Sequence, residues 1–373
     1  MVNIQKEGSL AELTNNLDVS IILPTYNEAD NIKNIIVEVS RVLNDNGIKG
    51  EIIIIDDDSA DGTAVIAENL SDQYPVRTNV RKTLRGLATA VIKGFELARG
   101  DVCLVMDADL SHPVEKVADM VNPILRGDCD MTVGCRYMAG GGCKEWPLLR
   151  KIISKGSGLL ARGLTRLSDP TSGFMAVKKS LVTDAKLDPI GWKIVLETVV
   201  KLRPRFIEIP IVFADRQHGE SKLNLEAQLD YLRHLWRLYC YRYSSMIQFV
   251  KFCIVGFSGL VIDTITLVIL VELLALDPRI AAIFAFLLVI TWNYSLNRIW
   301  TFNRFNHTLY SYITFLLICC VGLGIRIGVM HLLLEYAGMH TGKLYILASI
   351  IGIFSATTSN FLWSKSISFS DRK

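Results

Sequence analysis

The sequence lacks the motifs that mark the commonest nucleotide-binding and zinc-binding proteins. It contains no G-x-G-x-x-G fingerprint and no Walker lysine pattern, which argues against a dinucleotide oxidoreductase and against a P-loop NTPase. Its eight cysteines are scattered and show no C-x-x-C or Cys/His spacing. We therefore expect free, mostly buried thiols in a reducing compartment instead of disulfides or a zinc site.

The sequence is also poor in net charge and in targeting signals. A formal net charge of +3 gives no global attraction for nucleic acid, so no nucleic-acid partner is expected. The N-terminal segment carries Lys6, Glu7, Glu12 and Asp18 and has no apolar core, so we expect no signal peptide. No pattern in the sequence specifies an oligomeric state.

Apolar residues, in contrast, are abundant. Half of the 373 residues are hydrophobic and the mean hydropathy is +0.33, which is too apolar for an ordinary soluble enzyme. Four long apolar runs, at about 246–276, 280–302, 310–337 and 344–369, can each cross roughly 30 Å of hydrocarbon. We predict a soluble domain over 1–224, an interfacial amphipathic helix over 225–245 and a four-helix transmembrane domain over 246–373.

The connectors between the four runs differ in charge. One side carries Arg298, Arg304, Lys365 and the Arg372-Lys373 tail, and the basic helix over 225–245 shares that side. By the positive-inside rule, we expect the soluble domain and both termini to lie in the cytoplasm, at the cell membrane or at an ER-type membrane.

A buried strand near residue 105 ends in two carboxylates. Residues 102–106 are apolar, and Asp107 and Asp109 follow directly. Two nearby carboxylates without a matching cation are costly unless a divalent ion lies between them. Mg²⁺ or Mn²⁺ binds such oxygen ligands together with the phosphates of a substrate. The simpler alternative is that the two aspartates lie in a solvated turn and bind no metal.

Acidic residues also follow the two earlier strands. The predicted element order is β-α-β-α-β, with Glu28 and Asp56 after the first two strands, which is typical of a doubly wound nucleotide-binding fold. A metal ion at this edge would offset charge on a departing nucleoside diphosphate, so the pattern indicates group transfer from an activated nucleotide. The cations Arg136, Arg150 and Arg216 suit a lipid phosphate, which needs positioning more than a general base.

Six motifs, in this order along the chain, resemble the dolichol-phosphate mannose synthase group of family 2 glycosyltransferases. They are Pro24-Thr25-Tyr26-Asn27-Glu28, Asp56-Asp57-Asp58-Ser59-Ala60-Asp61-Gly62-Thr63, Asp107-Ala108-Asp109, Gly134-Cys135-Arg136-Tyr137, Asp169-Pro170-Thr171-Ser172-Gly173-Phe174 and Gly219-Glu220-Ser221-Lys222-Leu223. The C-terminal four-helix region is similar to GtrA-like membrane domains.

The resemblance implies a two-part fold and a reaction. The fold would be an α/β GT-A domain, Rossmann-like in its nucleotide binding, followed by an all-α four-helix transmembrane domain. The reaction would be the inverting transfer of mannose from GDP-mannose to dolichyl or polyprenyl phosphate at the cytoplasmic membrane face, with Mg²⁺ or Mn²⁺. Its product, dolichyl phosphate mannose, would serve as a lipid-linked donor for glycosylation.

The same resemblance assigns roles to single residues through their motifs. The catalytic residues would be Asp107, Asp109, Arg136 and Arg150. The donor would contact Pro24, Tyr26, Glu28, Asp56, Asp107, Asp109, Arg216 and Lys222. The lipid phosphate would contact Arg136, Arg150 and Ser154, and the metal would contact Asp107, Asp109 and Ser111.

Three features depart from the usual pattern of the group. Ser111 replaces a Gln that can bind the metal, Asp58 replaces an Asn or Gly, and residues 81–87 match a Gly-rich segment poorly. A transferase that moves glucose or another sugar from a UDP donor to the same lipid is therefore an alternative. A membrane scaffold or carrier is a second one. No Gln-x-x-Arg-Trp motif follows the site, which disfavours processive cellulose-type or chitin-type synthases.

Overall fold

The computed structural model describes residues 17–83, 85–143, 148–191, 193–214, 225–304, 309–337 and 344–370. The chain divides into two compact units, of which the first ends at Arg242 and the second begins at Tyr243. The first unit is α/β and the second is helical. The amphipathic segment over 225–245 thus falls almost entirely within the first unit.

A seven-stranded sheet forms the centre of the first unit. The strands of this unit are β1 Val19–Thr25, β2 Gly50–Asp56, β3 Val76–Val80, β4 Val102–Val105, β5 Met131–Cys135, β6 Gly142–Cys143, β7 Met175–Lys178, β8 Phe206–Pro210 and β9 Val212–Phe213. The large sheet has the order β3-β2-β1-β4-β7-β5-β8, and β6 pairs with β9. Its neighbours are parallel except at β7, which runs antiparallel to β4 and β5. The carboxyl ends of β1, β2 and β4 therefore meet at one edge.

Helices cover both faces of this sheet. They are α1 Ala29–Asp45, α2 Thr63–Glu68, α3 Leu87–Leu97, α4 Val117–Leu125, α5 Leu148–Ala161, α6 Lys179–Val182, α7 Ile194–Leu202 and α8 Leu225–Arg242. Successive residues of β1 point to opposite sides, so Ile21 and Leu23 join the core under α1 and α4 while Ile22 joins the core under α3 and α7. Burial on both sides explains why the strands read as continuous apolar runs.

Helix α8 belongs to the first unit because it packs on α5 and α7. Tyr231, Leu235 and Leu238 of α8 are buried in a cluster with residues of both helices. The Tyr231 hydroxyl donates a hydrogen bond to the Ser157 carbonyl of α5 at 2.6 Å, and the Tyr239 hydroxyl donates to the Leu160 carbonyl at 2.8 Å.

The second unit consists of α9 Ser244–Val268, α10 Pro278–Leu296, α11 Leu309–Glu335 and α12 Leu344–Trp363. Helices α9, α10 and α12 continue into π-helical turns at Ile269–Leu273, Asn297–Thr301 and Ser364–Ser368. Among the described residues, the helical stretches Ser244–Leu273 and Leu309–Glu335 are long and apolar enough to cross a membrane.

The second unit contains an internal repeat of two helical hairpins, α9–α10 and α11–α12. Phe252 in α9 corresponds to Phe315 in α11, and Phe302 after α10 corresponds to Phe369 after α12; all four rings are buried in one cluster. Phe302 and Phe369 stack with their centroids 4.7 Å apart. On either side of this stack, the Phe252–Phe302 centroids are 6.3 Å apart and the Phe315–Phe369 centroids 5.9 Å. The two hairpins are therefore equivalent in packing as well as in order.

The same glycine–asparagine contact holds each hairpin together. A Cβ atom on Gly259 of α9 would overlap the Asn293 side chain of α10, and a Cβ on Gly322 of α11 would overlap Asn360 of α12. Small residues let two helix backbones approach closely, which is a common way to pack helices in a membrane.

Candidate active site

The ends of β1 and β2 are joined by the carboxylate of Asp56. This side chain is fully buried. Its Oδ2 accepts hydrogen bonds from Thr25 Oγ1 at 2.8 Å and Ser59 Oγ at 2.6 Å, and its Oδ1 accepts one from the Ser59 amide at 2.8 Å. Pro24 is buried beside it, whereas Tyr26 is 48% exposed. The loop at this edge is thus fixed and presents the Tyr26 ring to solvent.

Two further acids contact residues of the segment 81–87, which matches the Gly-rich pattern of the family poorly. Asp57 pairs with Arg81 and accepts a hydrogen bond from the Gly86 amide at 2.8 Å, and Asp58 pairs with Arg85 at 2.7 Å. Asp58 has a left-handed φ of 60°, a conformation that Asn and Asp tolerate better than most residues. Arg81 and Arg85 neutralise the charges of these two acids. The extra carboxylate at Asp58 is therefore balanced by a cation from residues 81–87, the segment that also departs from the usual pattern.

The turn after β4 carries the carboxylates that the sequence assigned to a metal. Asp107 has a side chain that is 29% exposed, while Asp109 and Ser111 are buried. His112 Nδ1 accepts a hydrogen bond from the Asp107 amide at 2.9 Å, and its Nε2 lies 3.9 Å from Asp107 Oδ2. The His112 ring stacks on Phe174 with centroids 5.1 Å apart. Packing therefore fixes this turn, and the Asp107 carboxylate stays accessible.

The donor atoms in this turn fit a hard divalent ion. Ser111 Oγ is buried and has no hydrogen-bond partner among the described residues, although the Ser111 amide donates to Asp109 Oδ1 at 3.0 Å. Mg²⁺ is usually held by one or two carboxylates together with substrate phosphates and water. The described part of the chain forms no cluster of three or more His, Cys, Asp or Glu side chains that could hold a metal. Substrate oxygens would therefore complete the coordination.

Arg136, directly after β5, forms a buried ion pair with Asp169. Both Nε to Oδ2 and Nη2 to Oδ1 measure 2.7 Å, and the two side chains are 7% and 0% exposed. Burial would raise the pKa of Asp169, but the hydrogen bonds and charge of Arg136 hold that pKa below its ordinary value. The pair is therefore ionised, and it fixes the direction of the guanidinium group.

Hydroxyl groups connect Arg136 to helix α5. Arg136 Nη2 also donates to Thr171 Oγ1 at 2.9 Å, and Thr171 Oγ1 lies 3.4 Å from Ser154 Oγ. The Tyr137 hydroxyl donates to Ser154 Oγ at 2.7 Å. The structure thus brings together Arg136 and Ser154, two of the three residues assigned to the lipid phosphate. Arg150 lies on α5 as well, but its side chain is outside the described part of the chain.

A cavity of about 360 Å³ runs past these residues. Its polar lining includes Asp107, His112, Arg136, Thr171 and Lys193. Its apolar lining comes mainly from α5 and α8 and includes Ile153, Leu160, Tyr231 and Leu232. A ligand with an anionic head and an apolar tail matches this combination of cations and hydrocarbon.

Lys193 is a lining residue that the sequence patterns did not single out. It directly precedes α7 and is only 8% exposed. Its Nζ donates to the Thr171 carbonyl at 3.3 Å and lies 5.8 Å from the centroid of the Tyr231 ring. Burial, and then the charge of Arg136, lower the pKa of Lys193 to about 7. In the sequence it is only a lysine before a helix, and no spacing links it to Arg136.

The remaining residues assigned to the donor divide into two groups. Glu28 directly precedes α1 at the edge of the sheet, where its amide donates to Thr63 Oγ1 and its Oε2 accepts from Asn31 Nδ2, both at 2.9 Å. Arg216 and Lys222 fall within 215–224, outside the described residues.

Two family models match the chain. Glycosyl transferase family 2 matches residues 20–184, and the GtrA/DPMS transmembrane domain matches residues 251–369. These matches confirm the predicted GT-A-like α/β domain followed by a helical membrane domain.

Three relatives share one name, Dolichol-phosphate mannosyltransferase. The relative from Pyrococcus furiosus is 37% identical over 343 residues, which cover 90% of this chain and 95% of the relative. The relative from Saccharomyces cerevisiae is 36% identical over 63% of this chain and 93% of its own length. The relative from Mycosarcoma maydis is 38% identical over 61% of this chain and 81% of its own length.

Proposed function

Because this chain belongs to the dolichol-phosphate mannosyltransferase family, we propose that it transfers mannose from GDP-mannose to dolichyl phosphate in an inverting, metal-dependent reaction. The chain is a membrane protein with a GT-A-like domain and a GtrA/DPMS transmembrane domain. The observation that carries the proposal is the mixed lining of the cavity, in which buried cations lie beside apolar residues of α5 and α8.

The cavity supports a phosphate attached to an isoprenoid chain as the acceptor. Arg136 is oriented by Asp169 and presents a planar guanidinium, which binds phosphate oxygens in pairs. Ser154 and Thr171 offer hydroxyl groups next to it. Ile153, on the same helix as Ser154, would contact the first isoprene units.

In the proposed reaction, the acceptor phosphate needs no general base. A phosphate monoester is already ionised near neutral pH, so one of its oxygens can attack C1 of mannose directly. The C1–O bond to GDP breaks as the new C1–O bond to the lipid phosphate forms on the opposite face. GDP leaves with the bonding electron pair, and Arg136 holds the attacking phosphate in position.

The carboxyl edge of β1, β2 and β4 would take the donor. Asp107, Asp109 and Ser111 would hold Mg²⁺ or Mn²⁺, which neutralises charge on the diphosphate when it is bound. The exposed ring of Tyr26 can stack on a base, and the buried Asp56 fixes the loop beneath it. The donor would also contact Pro24, Glu28, Arg216 and Lys222.

The surface of α5 and α8 supports attachment of the first unit to a membrane. The exposed apolar side chains are Ile152 and Leu159 of α5 and Leu232 and Trp236 of α8, which are 50% to 71% exposed. The cation Arg162, directly after α5, is exposed as well. Apolar residues next to cations are typical of helices that lie in a membrane interface. We propose that this surface lies on the cytoplasmic leaflet and that α9 to α12 make four crossings.

Transfer assays with several donors test the proposal. The purified chain in detergent micelles would receive dolichyl phosphate and radiolabelled GDP-mannose, UDP-glucose or UDP-N-acetylglucosamine, with Mn²⁺ or with EDTA. We expect a lipid-linked product from GDP-mannose alone, and we expect EDTA to abolish it. Product from a UDP donor alone would overturn the assignment of the donor, and no product from any donor would overturn the reaction.

A further inference from the structure

We propose that Tyr137 is a positioning residue of the acceptor site, because its hydroxyl directs the hydrogen of the Ser154 hydroxyl toward the lipid phosphate. This role rests on the proposed function, since the ligand of Ser154 is taken to be a lipid phosphate. A hydroxyl group has one hydrogen to donate, so the direction of each hydrogen bond around Arg136 decides which groups can serve an incoming anion.

Tyr137 is linked to the cavity through Ser154. The Tyr137 hydroxyl donates to Ser154 Oγ at 2.7 Å, and Ser154 lies in the described lining of the cavity, which does not include Tyr137. The Tyr137 ring packs against two cations, with the guanidinium carbon of Arg136 at 5.6 Å and Lys155 Nζ at 6.0 Å from its centroid. Burial raises the pKa of Tyr137 above its ordinary value, so the hydroxyl keeps its hydrogen at neutral pH.

The neighbouring Thr171 hydroxyl already uses its hydrogen. Thr171 Oγ1 donates to Asp169 Oδ1 at 3.1 Å and accepts from Arg136 Nη2 at 2.9 Å. Because a threonine hydroxyl carries one hydrogen, Thr171 cannot also donate to Ser154. Ser154 is therefore the donor in the 3.4 Å contact between the two hydroxyls, and this contact is longer than a typical O–H···O hydrogen bond.

Ser154 also differs from Ser157, the next serine of α5. The Ser157 hydroxyl donates to the Ile153 carbonyl at 2.9 Å, which is a common bond for a serine within a helix. Among the described residues, the Ser154 hydroxyl makes no such bond, and its contacts are those with Tyr137 and Thr171. The Ser154 hydrogen is thus placed to serve a stronger acceptor in the cavity, such as a phosphate oxygen.

The hydrogen bond from Tyr137 has two consequences for the Ser154 hydroxyl. It occupies a lone pair of Ser154 Oγ, so the Ser154 hydrogen must point elsewhere. It also polarises the hydroxyl, which strengthens the bond that Ser154 donates. The site then offers a directed O–H group beside the Arg136 guanidinium, which suits a charged phosphate oxygen better than the hydroxyl of a polyprenol.

Loss of the Tyr137 hydroxyl should therefore affect the acceptor more than the donor. One weakened hydrogen bond to a charged ligand should raise KM for the lipid phosphate by roughly 3- to 10-fold. We expect smaller changes in kcat and in KM for GDP-mannose, because the proposed donor site lies at the carboxyl edge of β1, β2 and β4.

Binding measurements on the full chain in detergent, without any donor present, test this role. The ligands are a radiolabelled short-chain polyprenyl phosphate and the matching uncharged polyprenol. Tyr137→Phe removes the hydroxyl and keeps the ring, and we expect it to weaken phosphate binding roughly 3- to 10-fold while polyprenol binding is unchanged. Tyr239→Phe is the matched control, because it removes a tyrosine hydroxyl that donates to the Leu160 carbonyl of the same helix at 2.8 Å. This control should equal the parent chain.

A double-mutant cycle separates positioning from packing. Ser154→Ala should weaken phosphate binding at least as much as Tyr137→Phe does. In the Ser154→Ala background, Tyr137→Phe should cause no further loss, because Tyr137 acts through the Ser154 hydroxyl. Losses that multiply in the double variant would show that Tyr137 acts by another route and would overturn the proposal.

Two further results would count against this account, and they have different meanings. If Tyr137→Phe binds polyprenyl phosphate as tightly as the parent chain does, Tyr137 does not position Ser154. If the parent chain binds polyprenol as tightly as polyprenyl phosphate, the proposed acceptor itself is wrong. Melting temperatures and unchanged polyprenol binding show whether each variant keeps its fold around the cavity.

Discussion

At the scale of single residues, two arginine–aspartate pairs show how burial changes the effect of one contact. The side chains of Arg136 and Asp169 are 7% and 0% exposed, whereas those of Arg205 and Asp130 are 67% and 23% exposed. Both pairs are bidentate, with distances of 2.7 Å in the first and 3.0 Å in the second. Solvent screens the charges of the Arg205–Asp130 pair, so this pair should add little to stability. The buried Arg136–Asp169 pair should both stabilise the fold and orient the Arg136 guanidinium in the site.

We predict that Asp169→Asn lowers the free energy of unfolding by about 3–5 kcal/mol, because the Arg136 charge is left buried without its full partner. The same change should raise KM for the lipid phosphate, since the guanidinium loses its fixed direction. Asp130→Asn is the matched surface control, with an expected cost of about 0–1 kcal/mol. Denaturant unfolding of both variants measures the difference, and equal costs would contradict the account.

At the scale of elements, helix α8 is tied to α7 through the buried Glu197. This carboxylate pairs with Lys201 at 2.6 Å and with Arg237 at 3.4 Å, and it lies 3.5 Å from His234 Nε2. His234 Nδ1 accepts a hydrogen bond from the Ile190 amide at 3.1 Å, which places the proton of the neutral ring on Nε2. Burial lowers the pKa of His234, although Glu197 acts to raise it.

This arrangement predicts a pH dependence of stability. Because the folded-state pKa of His234 lies below its ordinary value of 6.5, the unfolded chain binds more protons there in acid. The stability that this residue contributes is thus present above pH 6.5 and is lost as the pH falls. His234→Gln removes the titrating group, so its melting temperature should fall less than that of the parent between about pH 7 and pH 5. Identical pH profiles for the two chains would contradict this role.

The helical hairpins of the second unit make a prediction about glycines. Gly322→Ala forces a Cβ against the Asn360 side chain, so we expect a loss of about 1–3 kcal/mol in stability. Gly324→Ala is the matched control, since nothing lies within 4 Å of its Cβ position. Thermal unfolding in detergent measures both. Adding Asn360→Ala to Gly322→Ala should recover much of the loss, and a simple sum of the single effects would show that the two residues do not touch.

Some strands of the first unit can be predicted from the sequence, and others cannot. Strands β1, β2 and β4 follow from runs of β-branched and apolar residues, and the structure confirms them. Strand β3 does not, because Arg77, Thr78 and Asn79 form its centre at the edge of the sheet. The reversed direction of β7 is set by pairing with β4 and β5, which no local pattern reveals.

The sequence also predicts only part of the site. Asp107 and Arg136 stand out because Asp107 lies two residues after β4 and Arg136 directly after β5, and both strands are buried. The pairing of Arg136 with Asp169 and the position of Lys193 depend on contacts between distant segments. The repeat in the second unit is hidden for a similar reason, since few positions, such as Gly259 and Gly322, share a residue type in both hairpins.

At the scale of the whole molecule, the chain joins a nucleotide-binding α/β unit to an apolar helical unit. The proposed donor is charged and dissolves in water, whereas the proposed acceptor has a tail that dissolves in lipid. One polypeptide that serves both therefore needs a polar edge for the nucleotide, a cavity with cations and hydrocarbon, and helices that keep it at the membrane. The described residues supply each of these features.

The measurement that tests this account most directly is mannosyl transfer by the parent chain and by Asp107→Asn. Both would be assayed with GDP-mannose, dolichyl phosphate and Mn²⁺, with melting temperatures measured in parallel. We predict that the parent chain forms dolichyl phosphate mannose and that Asp107→Asn is slower by roughly 100-fold or more, because the carboxylate assigned to the metal is gone. The fold should persist, because the Asp107 side chain is 29% exposed and its Oδ2 lies 3.9 Å from His112 Nε2, which is beyond hydrogen-bond distance. Equal turnover by the two chains would contradict the account.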